Sequence, residues 1–192
     1  MKILTVGGFL QGQPTASLGA DSAMLRENEP LFAPDDLDRF HSLIMPAVRI
    51  SRLGCGISKR HAAAYCDSLG AFHVLTPCDN STHVDGIPLG AADRTFAPGH
   101  WQPFDLCFEK TIVLRASSAP IGSAPTTEAI VEFTPQTLAV SAIISWLSSA
   151  ITFKTGDIIL FADYSINLGM PVLNTEINAD IDGIATLNFR IK

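Results

Sequence analysis

His73, Cys78, Asp79 and His83 lie close together in the chain and carry imidazole, thiolate and carboxylate groups. Those are the donors that hold zinc. Their spacing matches no zinc-binding pattern, and a polar loop with two histidines is the plainer reading. A second group, Asp163, Tyr164 and Asn167, follows the apolar run Ile158-Ile159-Leu160-Phe161. Polar loops after buried strands often carry function, so these three are candidate contacts to a small-molecule ligand. With Asp163 among them, the ligand would be neutral or cationic. Ser22, Ser117 and Ser118 have no paired His and Asp that would make one of them a nucleophile. Gly7-Gly8 alone is too little for a phosphate-binding loop. The residues themselves therefore assign no catalytic group and no metal ligand.

The elements that must position these groups are mostly strands. Lys2 to Val6 reads as a first strand. Pro34-Asp35-Asp36 turns the chain, and His41 to Ser51 is a long strand. Pro46 lies inside it and has no N–H for a ladder, which predicts an edge position or a bulge there. Ser58 is placed to cap a helix over Lys59 to Leu69, with Gly70 closing it. Ala71 to Leu75 is strand-like. Thr76 to Gly99 is rich in Pro, Gly, Asp and Asn, and a loop of that length is usually functional or mobile. Phe104 to Arg115 and Thr127 to Phe133 read as strands around a turn over Ser117 to Pro125. Thr134-Pro135 starts a helix over Gln136 to Ser149. Near the C-terminus, Glu176 to Ile181 and Ala185 to Ile191 alternate polar and apolar residues around Asp182-Gly183, a strong hairpin signal. Many strands and two short-to-medium helices predict a β-rich α+β fold, with strands curling into a roll or barrel.

The totals set the frame. A chain of 192 residues with 47% hydrophobic and 17% charged side chains suits one domain over residues 1–192 with one sizeable core. A net charge of −6 argues against nucleic-acid binding. No Lys/Arg cluster suits a membrane surface. The longest apolar stretch, Leu138 to Ile151, is shorter than the ~20 residues of a membrane span and is diluted by serines. The apolar run in MKILTVGGFLQG is too short and glycine-broken for a secretory signal. The expectation is a cytoplasmic protein whose four cysteines are reduced.

Five segments in order resemble the fumarylacetoacetate hydrolase family, in its short bacterial acylpyruvase-like branch. They are DSAMLRENEPLFAPD (Asp21 to Asp35), RISRLG (Arg49 to Gly54), RHAAAYCDSLG (Arg60 to Gly70), KTGDIILF (Lys154 to Phe161) and the closing EINADIDGIATLNFRIK. The resemblance weakens between Asn80 and Pro125. It implies a mixed β-roll, usually homodimeric. It also implies C–C bond cleavage, isomerisation or decarboxylation of keto-acids, assisted by Mg²⁺ or Mn²⁺.

Carried over position by position, the resemblance removes its own chemistry. The family's Glu-x-Glu metal ligands fall on Leu43 and Met45, and its aspartate ligand on Val74. Leucine and valine offer no donor, and a thioether is too soft for Mg²⁺. The lid histidine and glutamate fall on Gln13 and Ala16. The active-site lysine falls near Asp93-Arg94. The substrate-carboxylate loop becomes Phe161 to Gly169, with Asp163 in it. The expectation is a pseudoenzyme without a metal cofactor that binds a small ligand or a partner protein. The alternative is an active hydrolase, isomerase or decarboxylase of a keto-acid with a rearranged site.

Overall fold

The computed structural model describes residues 1–26, 29–32, 37–79, 81, 83–84, 86–107 and 109–192. The expected turn at Pro34-Asp35-Asp36 lies outside the described residues. In chain order the strands are β1 (Lys2–Gly7), β2 (Thr15–Ala20), β3 (Phe40–Ile50), β4 (Cys66–Pro77), β5 (His83–Val84), β6 (Ile87–Pro88), β7 (Phe96–Pro98), β8 (Gln102–Pro103), β9 (Ile112–Pro120), β10 (Thr127–Phe133), β11 (Ile158–Phe161), β12 (Ile166–Asn167), β13 (Thr175–Ile181) and β14 (Ile184–Ile191). The two longer helices are the 3-10 helix Lys59–Tyr65 and α1 (Val140–Ala150). The β-rich α+β class is as expected.

The larger sheet runs β2-β1-β11-β3-β4-β7, with β12 beside β3 and β8 beside β4. The smaller runs β10-β9-β13-β14. Among the described residues neither path closes on itself. Alternate residues of a strand point to opposite faces. One face of the large sheet, with Ile44, Val48, Leu75 and Ile159, packs with Ile177, Leu187 and Phe189 of the small sheet and Ile143, Ile144 and Leu147 of α1 in the main core. The other face carries a second apolar cluster, described below.

β1 joins β11 in parallel, Ile3 opposite Ile158 through Val6 opposite Phe161. Lys2 and Asp157 fix that register. The Asp157 carboxylate is fully buried. It pairs with the Lys2 ammonium at 2.6 Å and accepts the N–H groups of Lys2 and Lys154, both at 2.8 Å. Burial alone would raise its pKa; the Lys2 ammonium and the two N–H groups outweigh burial and hold it below the usual value. The Asp182-Gly183 hairpin forms as predicted, both residues at positive φ (54° and 80°) between β13 and β14.

Pro46 corrects an expectation. β3 is neither an edge nor bulged there: it pairs with β4 throughout, including Pro46 opposite Ala71. Its other side pairs with β11 at Ala47 to Arg49 and with β12 at Leu43 and Ile44. On that side Ser42 N–H reaches the Gly169 carbonyl and Ile50 N–H the Asp157 carbonyl, each at 2.8 Å. Period two points position 46 the same way, into the gap between β11 and β12. The missing N–H falls where no partner strand stands.

The helix expected over Lys59 to Leu69 ends at Tyr65, and the rest belongs to β4. A twelve-residue strand laddered to β3 satisfies backbone groups that a short helix would leave to solvent, so tertiary pairing overrides local propensity. Gly70 does not close a helix. It lies in β4 opposite Ala47, and a Cβ there would stand 3.1 Å from the Trp101 ring; its bareness admits that ring. The helix expected from Gln136 begins at Val140, because Ala139 is left-handed (φ 52°) and interrupts the turn. The turn expected over Ser117 to Pro125 is shorter, since β9 continues to Pro120, paired to both β10 and β13. The long stretch Thr76 to Gly99 carries β7, which pairs with β4.

Candidate functional site

Leu43 stands opposite Val74 on β3 and β4, and Val74 opposite Phe96 on β7. Directly paired residues share a face, as do residues two apart. Leu43, Met45 and Val74 are therefore on one face of the large sheet, brought together by the ladder. Met45 and Val74 are each 3% exposed, in a cluster with Ile3, Ala47, Phe72, Phe96, Ile158 and Leu160; Leu43 packs against its rim. Phe96 lies against Gly19 of β2, where a Cβ would stand 2.7 Å from the ring. Among the described residues no group of three His, Cys, Asp or Glu side chains is arranged to hold a metal. The donor set at these positions does not fit Mg²⁺ or Mn²⁺. A hard dication there would lose its hydration and gain one thioether in return.

His73 separates in space from the other three residues of the first candidate group. His73 is in β4 on the opposite, main-core face, fully buried, with Nε2 2.7 Å from the Ser42 hydroxyl and its ring 4.8 Å from Phe189. Burial pushes its pKa down to about 3. Nδ1 has no hydrogen-bond partner. Cys78, Asp79 and His83 instead line a cavity of about 290 Å³ with Asp38, Arg39 and Phe40; His73 is not part of it. All four cysteines are unpaired. The buried Cys66 thiol is raised to about 12, first by burial and then by the Asp67 charge, which leaves it unreactive.

The loop after β11 brings Asp163 and Tyr164 together and leaves Asn167 apart. The Asp163 carboxylate accepts three consecutive N–H groups: Gly8 at 2.9 Å, Phe9 at 3.0 Å and Leu10 at 3.4 Å. Successive backbone N–H groups form a concavity for an anion, and here the anion is a side chain of the same chain. The Tyr164 hydroxyl donates to the Thr137 carbonyl at 2.8 Å, and its ring stands edge-on to Phe133. Both residues line a space of about 10 Å³, room for roughly one water. Asn167 accepts the Gly169 N–H at 2.8 Å, a local turn in which Gly169 has φ 85°.

The positions that the resemblance assigns to the lid and to the lysine are equally plain. Ala16 is a β2 residue opposite Val6, and Arg94 lies over the Phe32 ring at 5.5 Å. Sequence reasoning missed Phe96 and Trp101, the aromatic residues that cover the second cluster. Thr95-Phe96-Ala97-Pro98 was the available signal: a short apolar run inside a polar stretch, read as part of the loop.

No sequence-family profile matches the chain, and no curated protein matches it. Solved structures do. A protein assigned to the fumarylacetoacetate hydrolase family from Yersinia pestis CO92 superposes with a TM-score of 0.76 at 18% identity, over 100% of this chain and 93% of that one. The 2-hydroxyhepta-2,4-diene-1,7-dioate isomerase from Mycobacterium marinum gives 0.77 at 21% identity, over 99% and 73%. The fumarylpyruvate hydrolase from Pseudomonas aeruginosa, solved with Mn²⁺ and pyruvate, gives 0.72 at 16% identity, over 100% and 89%. The chain has the fold of these fumarylacetoacetate hydrolase family proteins.

Proposed function

We propose that this chain keeps the fumarylacetoacetate hydrolase fold without its metal-dependent catalysis, and works as a cytoplasmic, homodimeric binding protein for a small ligand or a partner protein. One observation carries the reading: Leu43, Met45 and Val74 converge on one face and form part of a packed apolar layer under Phe96. A lost metal site that kept its cavity would still offer room for other donors. This one is filled. The loop after β11 supports the same reading, because Asp163 and Tyr164 hold the backbone of the chain itself. A ligand at Asp163, Tyr164 and Asn167 would have to compete with those bonds.

Calorimetric titration with Mn²⁺ and Mg²⁺ tests it. We expect no binding up to millimolar metal, and no acylpyruvate cleavage or oxaloacetate decarboxylation with either ion. A single-site curve at micromolar affinity overturns the proposal. It would favour the second reading, an active keto-acid hydrolase, isomerase or decarboxylase with a rearranged site. The fold shared with a fumarylpyruvate hydrolase and a dioate isomerase is what supports that alternative. Sedimentation equilibrium tests the homodimer.

A further inference from the structure

Outside the filled layer the fold keeps an open cleft of about 690 Å³, between the segment after β2 (Asp21 to Arg26) and the segment after β7 (Pro98 to Trp101). That size lies within the range of small-molecule sites. Both walls are fixed. On one side Leu25 N–H binds the Phe96 carbonyl at 2.7 Å, and Met24 pairs with Phe96 as an isolated bridge. On the other, Gly99 N–H binds the Ala71 carbonyl at 3.0 Å and His100 N–H binds the Thr186 carbonyl. Thr186 offers that carbonyl because β14 is bulged there: Ala179 pairs with Leu187 and Asp180 with Ala185. Only a glycine fits at position 99, where a Cβ would stand 2.5 Å from the carbonyl oxygens of both Ala71 and Thr186.

Trp101 is held as firmly. The Arg49 guanidinium lies 5.4 Å from its ring centroid and Phe72 5.6 Å. A rigid indole supplies contact area with little ordering entropy. Met24 and Pro98 add apolar surface. The charges are few. Asp21 is paired with the N-terminal ammonium at 3.5 Å, which leaves Arg26, exposed, as the permanent positive charge among the described lining residues. A guanidinium presents a planar pair of donors that matches a carboxylate. Asp21 disfavours a second negative charge.

We propose that this cleft is the binding site of the chain, and that it takes a flat aromatic monocarboxylate, ring against Trp101 and carboxylate on Arg26. The inference rests on the metal-free reading above and names the ligand class that reading leaves open. The site uses none of the positions Leu43, Met45 or Val74, so ligand binding needs no metal.

The test is calorimetric titration of the full chain with 2-naphthoate in EDTA, with 2-naphthamide as the uncharged isostere. We expect saturable 1:1 binding of naphthoate, weakened about tenfold for the amide and for Arg26→Gln, the loss of one charge-assisted contact. Arg26 is exposed, so Arg26→Gln should keep the wild-type melting temperature. Trp101→Leu should abolish binding; if that variant fails to fold, Trp101→Phe, which keeps a smaller ring, should weaken it severalfold. No naphthoate binding, or binding indifferent to both Arg26→Gln and the amide swap, overturns the proposal. If Mn²⁺ also fails to bind, the metal-free reading survives that failure. If Mn²⁺ binds and naphthoate binding requires it, both fall.

Discussion

Leu43 and Val74 face each other across the β3–β4 ladder, and Val74 in turn faces Phe96 across β4 and β7. The pair now belongs to an apolar layer, and the layer should reject charge. Val74→Asp buries an unpaired carboxylate and should destabilise the fold by about 3 kcal/mol or more. Burial raises the pKa of such a group, so the loss should shrink as pH falls towards 4 and the side chain becomes neutral. Chemical denaturation at two pH values measures this. Recovery of stability on adding Mn²⁺ would contradict the filled-layer picture.

Burial of His73 should make the fold acid-sensitive. Its folded pKa of about 3 lies below the unfolded value of about 6.5. The unfolded chain therefore binds the extra proton. Stability from this group is complete above about pH 6.5 and falls by about 1.4 kcal/mol per unit as pH drops towards 3. Replacing both partners, His73→Leu with Ser42→Ala, should flatten the slope between pH 6 and 4. A double variant with an unchanged slope would move the acid sensitivity elsewhere.

Asp157 has the opposite titration and a lower window. Its folded pKa is depressed, so its contribution is complete above the unfolded value near 4 and is lost as pH falls through the folded one. Asp157→Asn should cost about 2–4 kcal/mol at neutral pH, less than a fully buried pair because Lys2 is partly in water. The same variant should lose part of the wild-type instability below pH 4. Thermal melts from pH 2 to 7 check both.

Asp163→Ala should destabilise by about 1 kcal/mol, because it leaves the consecutive N–H groups of Gly8, Phe9 and Leu10 to water. Hydrogen exchange should rise selectively at those amides while β11 stays protected. If Asp163 served a ligand alone, exchange there would not change.

Much of this fold was legible in the sequence, and the reasons are local. The Asp182-Gly183 hairpin and the Ile158 to Phe161 strand follow from turn chemistry and apolar runs. Period two alone puts Leu43 and Met45 on one face. The failures were tertiary. Lys59 to Leu69 has helical composition, and only β3 explains why its second half is strand. Pro46 broke an edge-strand rule because its partner side has a gap between β11 and β12 that no local signal marks. Phe96 and Trp101 looked like loop aromatics, since their partners Val74, Gly19, Gly70 and Arg49 are distant in sequence.

The parallel pairing of β1 with β11 also constrains how the chain can be made. The hairpin β1–β2 is made before β11, yet among the described residues the strand that ladders it to the rest of the large sheet is β11, more than 150 residues later (Ile3 opposite Ile158). Closing so long a loop is slow, and the waiting hairpin exposes an unpaired edge meanwhile. Synthesis stalled before Phe161 should therefore yield a chain with β3 and β4 able to pair but with its first strands unanchored. Such a nascent chain is the form most exposed to chaperones and proteases.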